Sequence, residues 1–309
     1  MRKILPYIAI LTAMLIWAGA GIAVKEALVV FTPLTLIVLR FTLAVVLMVA
    51  IGLLFRHNEI LGLQRAEKKD IPLFILGGLF QPFLYFIFET YTYDSFASPT
   101  IAEAMLSTQP VLAPIFAFAL LRERITRYNI IGILISTIGM LLLLLLVGSD
   151  NFALGNSWGI LLAFLTVSMS VSYSIILRRI PSHYSPLSIV FYVQSFSLLL
   201  FYILWGGAWA FTPFQPLEPL EPLEPLQLQK ALLSALYLAL FASVAAFVLF
   251  CYTVRRIGVT RANVFNNVRP VFTAMMMLIF FSEELPLWKW IGIIIIIIGL
   301  FISQKYRKV

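Results

Sequence analysis

Ten apolar stretches of bilayer-spanning length constrain this chain more than any other feature. They cover residues 4–24, 33–55, 71–92, 97–121, 128–148, 155–177, 186–210, 230–254, 261–281 and 287–304, with short polar breaks between them. A helix needs about 20 apolar residues to cross the hydrocarbon layer, and lipid offers no water to an exposed backbone, so runs of this length specify helices. Barrel strands would alternate apolar and polar residues over ~10 positions. The run IIGILISTIGMLLLLLLV (130–147) does not alternate. The expected fold is an all-α integral membrane protein with ten transmembrane helices.

Composition agrees: of 309 residues, 61% are hydrophobic and 12% charged, a balance no water-soluble surface accommodates. The single cysteine, Cys251, lies in the eighth run, which excludes a disulfide framework or thiolate cluster. The opening MRKILPYIAILTAMLIWAGAGIA imitates a secretory signal, but it is expected to be retained because a later helix repeats it. Gly19 and Gly21 sit inside a span and follow no strand, so they form no phosphate loop. Nothing in the sequence calls for a cofactor or a metal.

The chain repeats itself. At an offset of 160 residues, without gaps, 109–139 lies over 269–299, pairing Pro110 with Pro270, Glu123 with Glu283, Gly132 with Gly292 and Gly139 with Gly299. An offset of 153 aligns the first helices, placing Lys25 on Arg178 and Pro33 on Pro186. The expected halves are residues 1–149 and 150–309, five helices each.

Five is odd, so the second copy must enter the membrane upside down. With the N-terminus inside, Arg2, Lys3, Arg56, Arg65, Lys68, Lys69, Arg122, Arg124, Arg127, Arg178, Arg179, Arg255, Arg256, Arg261, Lys305, Arg307 and Lys308 are cytoplasmic, against Lys25, Lys230 and Lys289 outside. Both termini are therefore expected in the cytoplasm, in a plasma (inner) membrane. The net charge of +8 is an orientation signal, and nucleic acid is not needed to explain it.

The doubled pattern of proline, glutamate and glycine (Pro110, Glu123, Gly132; Pro270, Glu283, Gly292), with Trp17 and Arg40, resembles the drug/metabolite transporter superfamily, in its ten-helix branch built from two EamA-type repeats. The resemblance covers nearly the whole chain. It implies a permease in a family made up mostly of exporters of amino acids and other small metabolites. The chain is expected to work as a monomer in the lipid bilayer, with a small-molecule substrate.

Pro110 and Pro270 remove backbone donors at matching depths, which points to the fourth and ninth helices as the walls of a central site. The polar residues there are Glu103, Ser107, Thr108 and Gln109 on one helix and Asn263, Asn266, Asn267 and Arg269 on the other. An arginine near mid-bilayer costs at least ~2.5 kcal/mol and normally faces the bundle. Three roles suit Arg269: a fork for a substrate carboxylate, a permanent pair with Glu103, or a side chain reaching back to the cytoplasm. Glu103 is also open to proton coupling. Trp17 and Tyr85 are candidate cavity walls, and Arg40 and Glu89 a gate, a coupling pair or a static bridge. Gly132, Ser136 and Gly139 share one face of the fifth helix, and Gly292 and Gly299 repeat the spacing in the tenth, a seam where backbones can touch. Glu123 and Glu283 precede helix starts, where an acid meets the positive dipole end.

The segment 213–229, PFQPLEPLEPLEPLQLQ, reads as an external polyproline spacer. Spans one and six, as bounded above, contain no carboxylate, which disfavours export of bulky cations by an acid in helix one. An intramembrane enzyme would need a nucleophile and a base at depth, but His57 and His183 lie in cytoplasmic loops and Cys251 has no evident base. A channel or receptor needs no motif and remains the alternative to a transporter.

Overall fold

The structure is a computed structural model describing residues 4–95, 106, 108–122, 125–145, 157–211, 225–281 and 287–304. Glu103, Ser107, Glu123, Glu283, most of the Pro-Leu-Glu segment and both extreme termini lie outside the described residues.

Among the described residues every regular element is a helix. In order it forms α1 (Leu5–Leu28), α2 (Pro33–Leu54), α3 (Ile71–Gly78), α4 (Tyr85–Ser95), α5 (Gln109–Leu121), α6 (Arg127–Leu145), α7 (Ser157–Arg179), α8 (Pro186–Phe211), α9 (Pro225–Tyr237), α10 (Ala246–Ile257), α11 (Val259–Val264), α12 (Arg269–Phe281) and α13 (Leu287–Gln304). Six helical runs are long and apolar enough to cross a membrane: Leu5–Leu28, Leu34–Leu54, Lys68–Glu89, Trp158–Arg179, Pro186–Gly207 and Pro225–Ile257. Gln109–Leu121 and Trp290–Ser303 are shorter apolar helices. Large apolar side chains face outward, with Ile203 71% and Phe301 73% exposed, as a lipid-bathed surface requires and a wet one forbids.

Helix ends follow local chemistry. Pro33 opens α2, where its missing N–H is not needed, and the Thr32 hydroxyl accepts from the Thr35 N–H at 3.4 Å. Arg122, at φ 54°, closes α5 in the left-handed conformation. Two boundaries differ from expectation by four or more residues. Helix α1 runs on to Leu28 and takes in Glu26 at its end. Helix α9 already starts at Pro225, since proline suits a first turn and the following LQLQKALLSALY favours helix, so the extended spacer cannot reach 229 as expected.

The main departures from regular helix lie where the sequence reading did not look. Between α3 and α4, and again between α9 and α10, the turns widen into π-helical segments, Leu79–Leu84 and Leu238–Ala245. Shifted by 160 residues, 79–84 becomes 239–244, so both copies carry the irregularity at one register. In the first copy Gln81 leaves helical geometry altogether (φ −150°, ψ 120°) ahead of a cis bond to Pro82. Pro110 and Pro270, expected to interrupt the fourth and ninth helices, instead stand in the first turns of α5 and α12. A tight 3₁₀ turn, Phe265–Val268, separates α11 from α12.

The two halves interdigitate. Helix α1 packs on α9, α10 and α12, α2 on α8, α4 and α5 on α7, and α6 lies along α13. Buried aromatic and aliphatic side chains such as Phe41, Phe74, Tyr173, Phe201 and Phe247 fill the space between them.

Candidate functional site

Three polar side chains from three helices meet in the apolar interior. Gln109, at the start of α5, donates through Nε2 to Asn263 Oδ1 of α11 at 2.6 Å and to Ser170 Oγ of α7 at 2.8 Å. All three are buried. Asn263 donates to the Val259 carbonyl at 2.9 Å, and Asn266 to the Asn263 carbonyl at 3.0 Å, so both asparagines also bond back onto their own segment. Asn267 donates to Ser136 Oγ at 2.7 Å, linking this turn to α6. Gln109, Asn263 and Asn266, expected on facing helices, are thus brought together. Ser170 was missed, although the 153-residue offset places it on Trp17.

Arg269 opens α12, half-buried, and its carbonyl accepts from Thr273 at 3.1 Å. Thr273 Oγ1 also reaches the Ala18 carbonyl at 3.5 Å, which sets α12 against α1 beside Trp17. Trp17 donates to the Ala242 carbonyl at 3.0 Å, with Phe247 and Phe250 5.3 and 5.4 Å away, ring centre to ring centre. The widened turn that frees the Ala242 carbonyl therefore holds the indole.

The same turn holds Arg40. Its Nε donates to Ser243 Oγ at 3.0 Å, and its guanidinium lies over the rings of Phe86 (4.6 Å) and Phe41 (5.1 Å). Gln194 Nε2 donates to the Ser243 carbonyl at 2.6 Å. Tyr85 donates to Glu89 Oε1 at 2.7 Å, four residues on along α4. Among the described residues, no carboxylate comes within 4.0 Å of Arg40. Ser243 and Gln194 carry no motif, and neither was singled out from sequence.

Along the α6–α13 contact, backbones touch. A methyl group placed on Gly139 would stand 2.7 Å from the Ile296 nitrogen and 2.8 Å from the Gly292 carbonyl oxygen. One on Gly132 would collide with Gly299 and Ser303, and one on Gly299 with Gly132 and Ser136. Asn129 Nδ2 closes this seam by donating to the Ser303 carbonyl at 2.6 Å.

A separate polar cluster joins the α2–α3 loop to the α7–α8 loop. Gln64 donates to the His183 carbonyl at 3.0 Å and through its N–H to Ser188 Oγ at 2.8 Å, and Leu187 N–H donates to the Ile60 carbonyl at 3.1 Å. Glu67, Asp70 and His183 bring ligand atoms within 4.8 Å of one another. Lys69 already pairs with Glu67 at 2.7 Å and Tyr184 donates to Asp70 at 2.9 Å, so these groups serve each other as loop contacts. The hydrogen bond from Lys69 and its positive charge hold the Glu67 carboxyl below the usual range.

Comparison with known proteins agrees with this architecture. Residues 4–145 and 157–304 each match the EamA-like transporter family. An uncharacterized transporter, YetK, of Bacillus subtilis (strain 168) is 27% identical over 98% of this chain and 87% of its own length. An uncharacterized transporter of Archaeoglobus fulgidus is 24% identical over 94% of this chain and 95% of its own. A solved structure described only as "Crystal structure of protein" superposes with a TM-score of 0.76, covering 97% of both chains at 21% identity, a likeness of fold. With two copies of one family's repeat filling most of its length, the chain belongs to the EamA-like transporter family.

Proposed function

We propose that the chain is a secondary transporter working by alternating access, with residues 1–149 and 150–309 as five-helix halves of opposite orientation, ten spans in all. Its substrates are amino acids or related small carboxylates, and it exports them as a monomer in the plasma membrane, both termini in the cytoplasm.

The observation that carries this reading is the Gln109–Ser170–Asn263 trio seen beside its repeat counterparts. The 160-residue register relates Gln109 to Arg269 and Asn263 to Glu103, and the 153-residue register relates Ser170 to Trp17. A neutral trio bonded to itself across the halves therefore has an inverted counterpart made of a cation, an indole and an acid. Inverted-repeat transporters exchange the conformations of such paired sets as they turn from one side to the other. The neutral set is the closed contact and the charged set receives ligand, with the Arg269 guanidinium matching a carboxylate in two prongs. Asn266, next to Asn263, and Tyr85, on the side of Arg40 and Glu89, line the route.

The test is purified protein in liposomes, screened with labelled amino acids under imposed pH and voltage gradients. Transport of a free acid but not its amide, weakened at least tenfold by Arg269→Lys, is expected. Equal transport of acid and amide would count against a carboxylate site.

A further inference from the structure

We propose that Arg40 forms a second anion station, distinct from Arg269, which receives a carboxylate on the widened turn Leu238–Ala245. This deepens the reading above, resting on its assignment of small carboxylates as the substrate class.

Arg40 is 5% exposed, in the interior of a helix made otherwise of apolar residues and two threonines. A guanidinium carries five N–H donors. Among the described residues only its Nε–H is used, on Ser243 Oγ at 3.0 Å. The terminal amino groups, which carry the geometry for a two-pronged acceptor, donate to no described residue. Phe86 and Phe41 lie against the guanidinium without using those donors. A cation at depth normally has an acceptor, and such arginines mark substrate and ion pathways.

A second observation is independent of Arg40. Gln194 is fully buried and its Nε2 is spent on the Ser243 carbonyl, yet among the described residues its Oε1 has no hydrogen-bond partner. One residue, Ser243, thus anchors a cation with spare donors through its hydroxyl and an amide with a spare acceptor through its carbonyl. That combination is complementary to an α-amino acid, with carboxylate on Arg40 and ammonium on Gln194. Widened helical turns recur at functional sites, and in this one the carbonyls of Ala242 and Ser243 both accept from side chains. By the charge-derived orientation, Arg40 stands seven residues from the outer end of α2 and Arg269 nearer mid-membrane, so the two stations follow one another along the route.

The test uses acetate as probe and acetamide as its neutral analogue, at constant ionic strength, with the unfolding temperature of the purified protein as readout. Acetate is expected to raise it saturably in the unmodified protein and in Arg269→Met, while acetamide does not. In the Arg269→Met background, Arg40→Met should raise the half-saturating concentration at least tenfold. Where Arg40→Met does not fold, Arg40→Lys keeps the charge without the fork and should show a weaker but measurable rise in that concentration. No acetate effect in the unmodified protein, an equal effect of acetamide, or unchanged half-saturation in the Arg40 variant tested would overturn the proposal. Should Arg269→Lys leave transport intact while the acetate response still depends on Arg40, the central-site reading fails and this one stands.

Discussion

Gln109 and Asn263, 154 positions apart, share a hydrogen bond of 2.6 Å in the interior, joining the first half of the chain to the second. Neither side is dispensable, because a buried amide stripped of its partner keeps its desolvation cost. Gln109→Ala should lower stability by about 1–3 kcal/mol. Combined with Asn263→Ala it should cost less than the sum of the single changes, with a coupling of at least ~0.5 kcal/mol. Denaturation of both single variants and the double, in one detergent, checks this; strict additivity would mean the contact does not form.

At the α6–α13 seam, Gly139→Leu or Gly299→Leu should separate the two backbones and lower folded yield, at or beyond the upper end of the ~1–3 kcal/mol typical of overpacking. Size-exclusion profiles and unfolding temperatures measure it. Unmodified behaviour in both variants would be incompatible with the contact seen here.

Orientation is tested at the proline-rich segment. A cysteine replacing Glu221, in a chain with Cys251→Ala, should react with an impermeant thiol reagent added outside intact cells. Labelling only after permeabilisation would reverse the proposed topology.

Arg269→Ala should nearly abolish transport if Arg269 holds a substrate carboxylate, and adding Glu103→Gln should not restore it. If the two residues instead form a permanent pair, Arg269→Ala strands an unpaired acid, and the double variant recovers folding and part of the activity. Transport by the double variant decides between them.

The Glu67–Lys69 pair gives a pH signature. The depressed Glu67 carboxyl contributes order above the unfolded value of ~4.3 and loses it as pH falls through its lower folded value; the raised Lys69 contributes below ~10.4 and loses it as pH rises. The contact is therefore flat at neutral pH and loosens at both extremes. Lys69→Met should return the Glu67 titration, followed by carbon-13 NMR, toward ~4.3. An unmoved titration would exclude the pair.

Much of this was legible because lipid is a strict solvent. It demands long apolar runs, which mark the helices, and it favours small residues where helices touch, which marks Gly132, Gly139, Gly292 and Gly299. Gln109, Asn263 and Asn266 stood out as polar residues with an apolar background. Ser170 did not, since α7 also carries Ser168, Ser172 and Ser174 and serine caps its own polarity by bonding back along a helix, as Ser168 and Ser174 do. Gln194 and Ser243 escaped for another reason: their importance comes from bonds made at a widened turn, and a π-helical turn has no residue signature. The prolines misled in a related way. Pro110 and Pro270 looked like interruptions, but a proline in a first turn disturbs nothing, and Pro82 was the one inside a widened segment.

The widened turns also bear on why a single offset of 160 residues carries one onto the other. One residue turns an α-helix by about 100°. Deleting one within 239–244 would leave a good helix but swing everything beyond it, including Phe247 and Phe250, a quarter-turn or more away from Trp17 of α1. In 79–84, where Gln81 already leaves helical geometry, a deletion would turn the face that α4 presents to α7. Each copy is therefore phased like a gear tooth, and changes of length are confined to its loops.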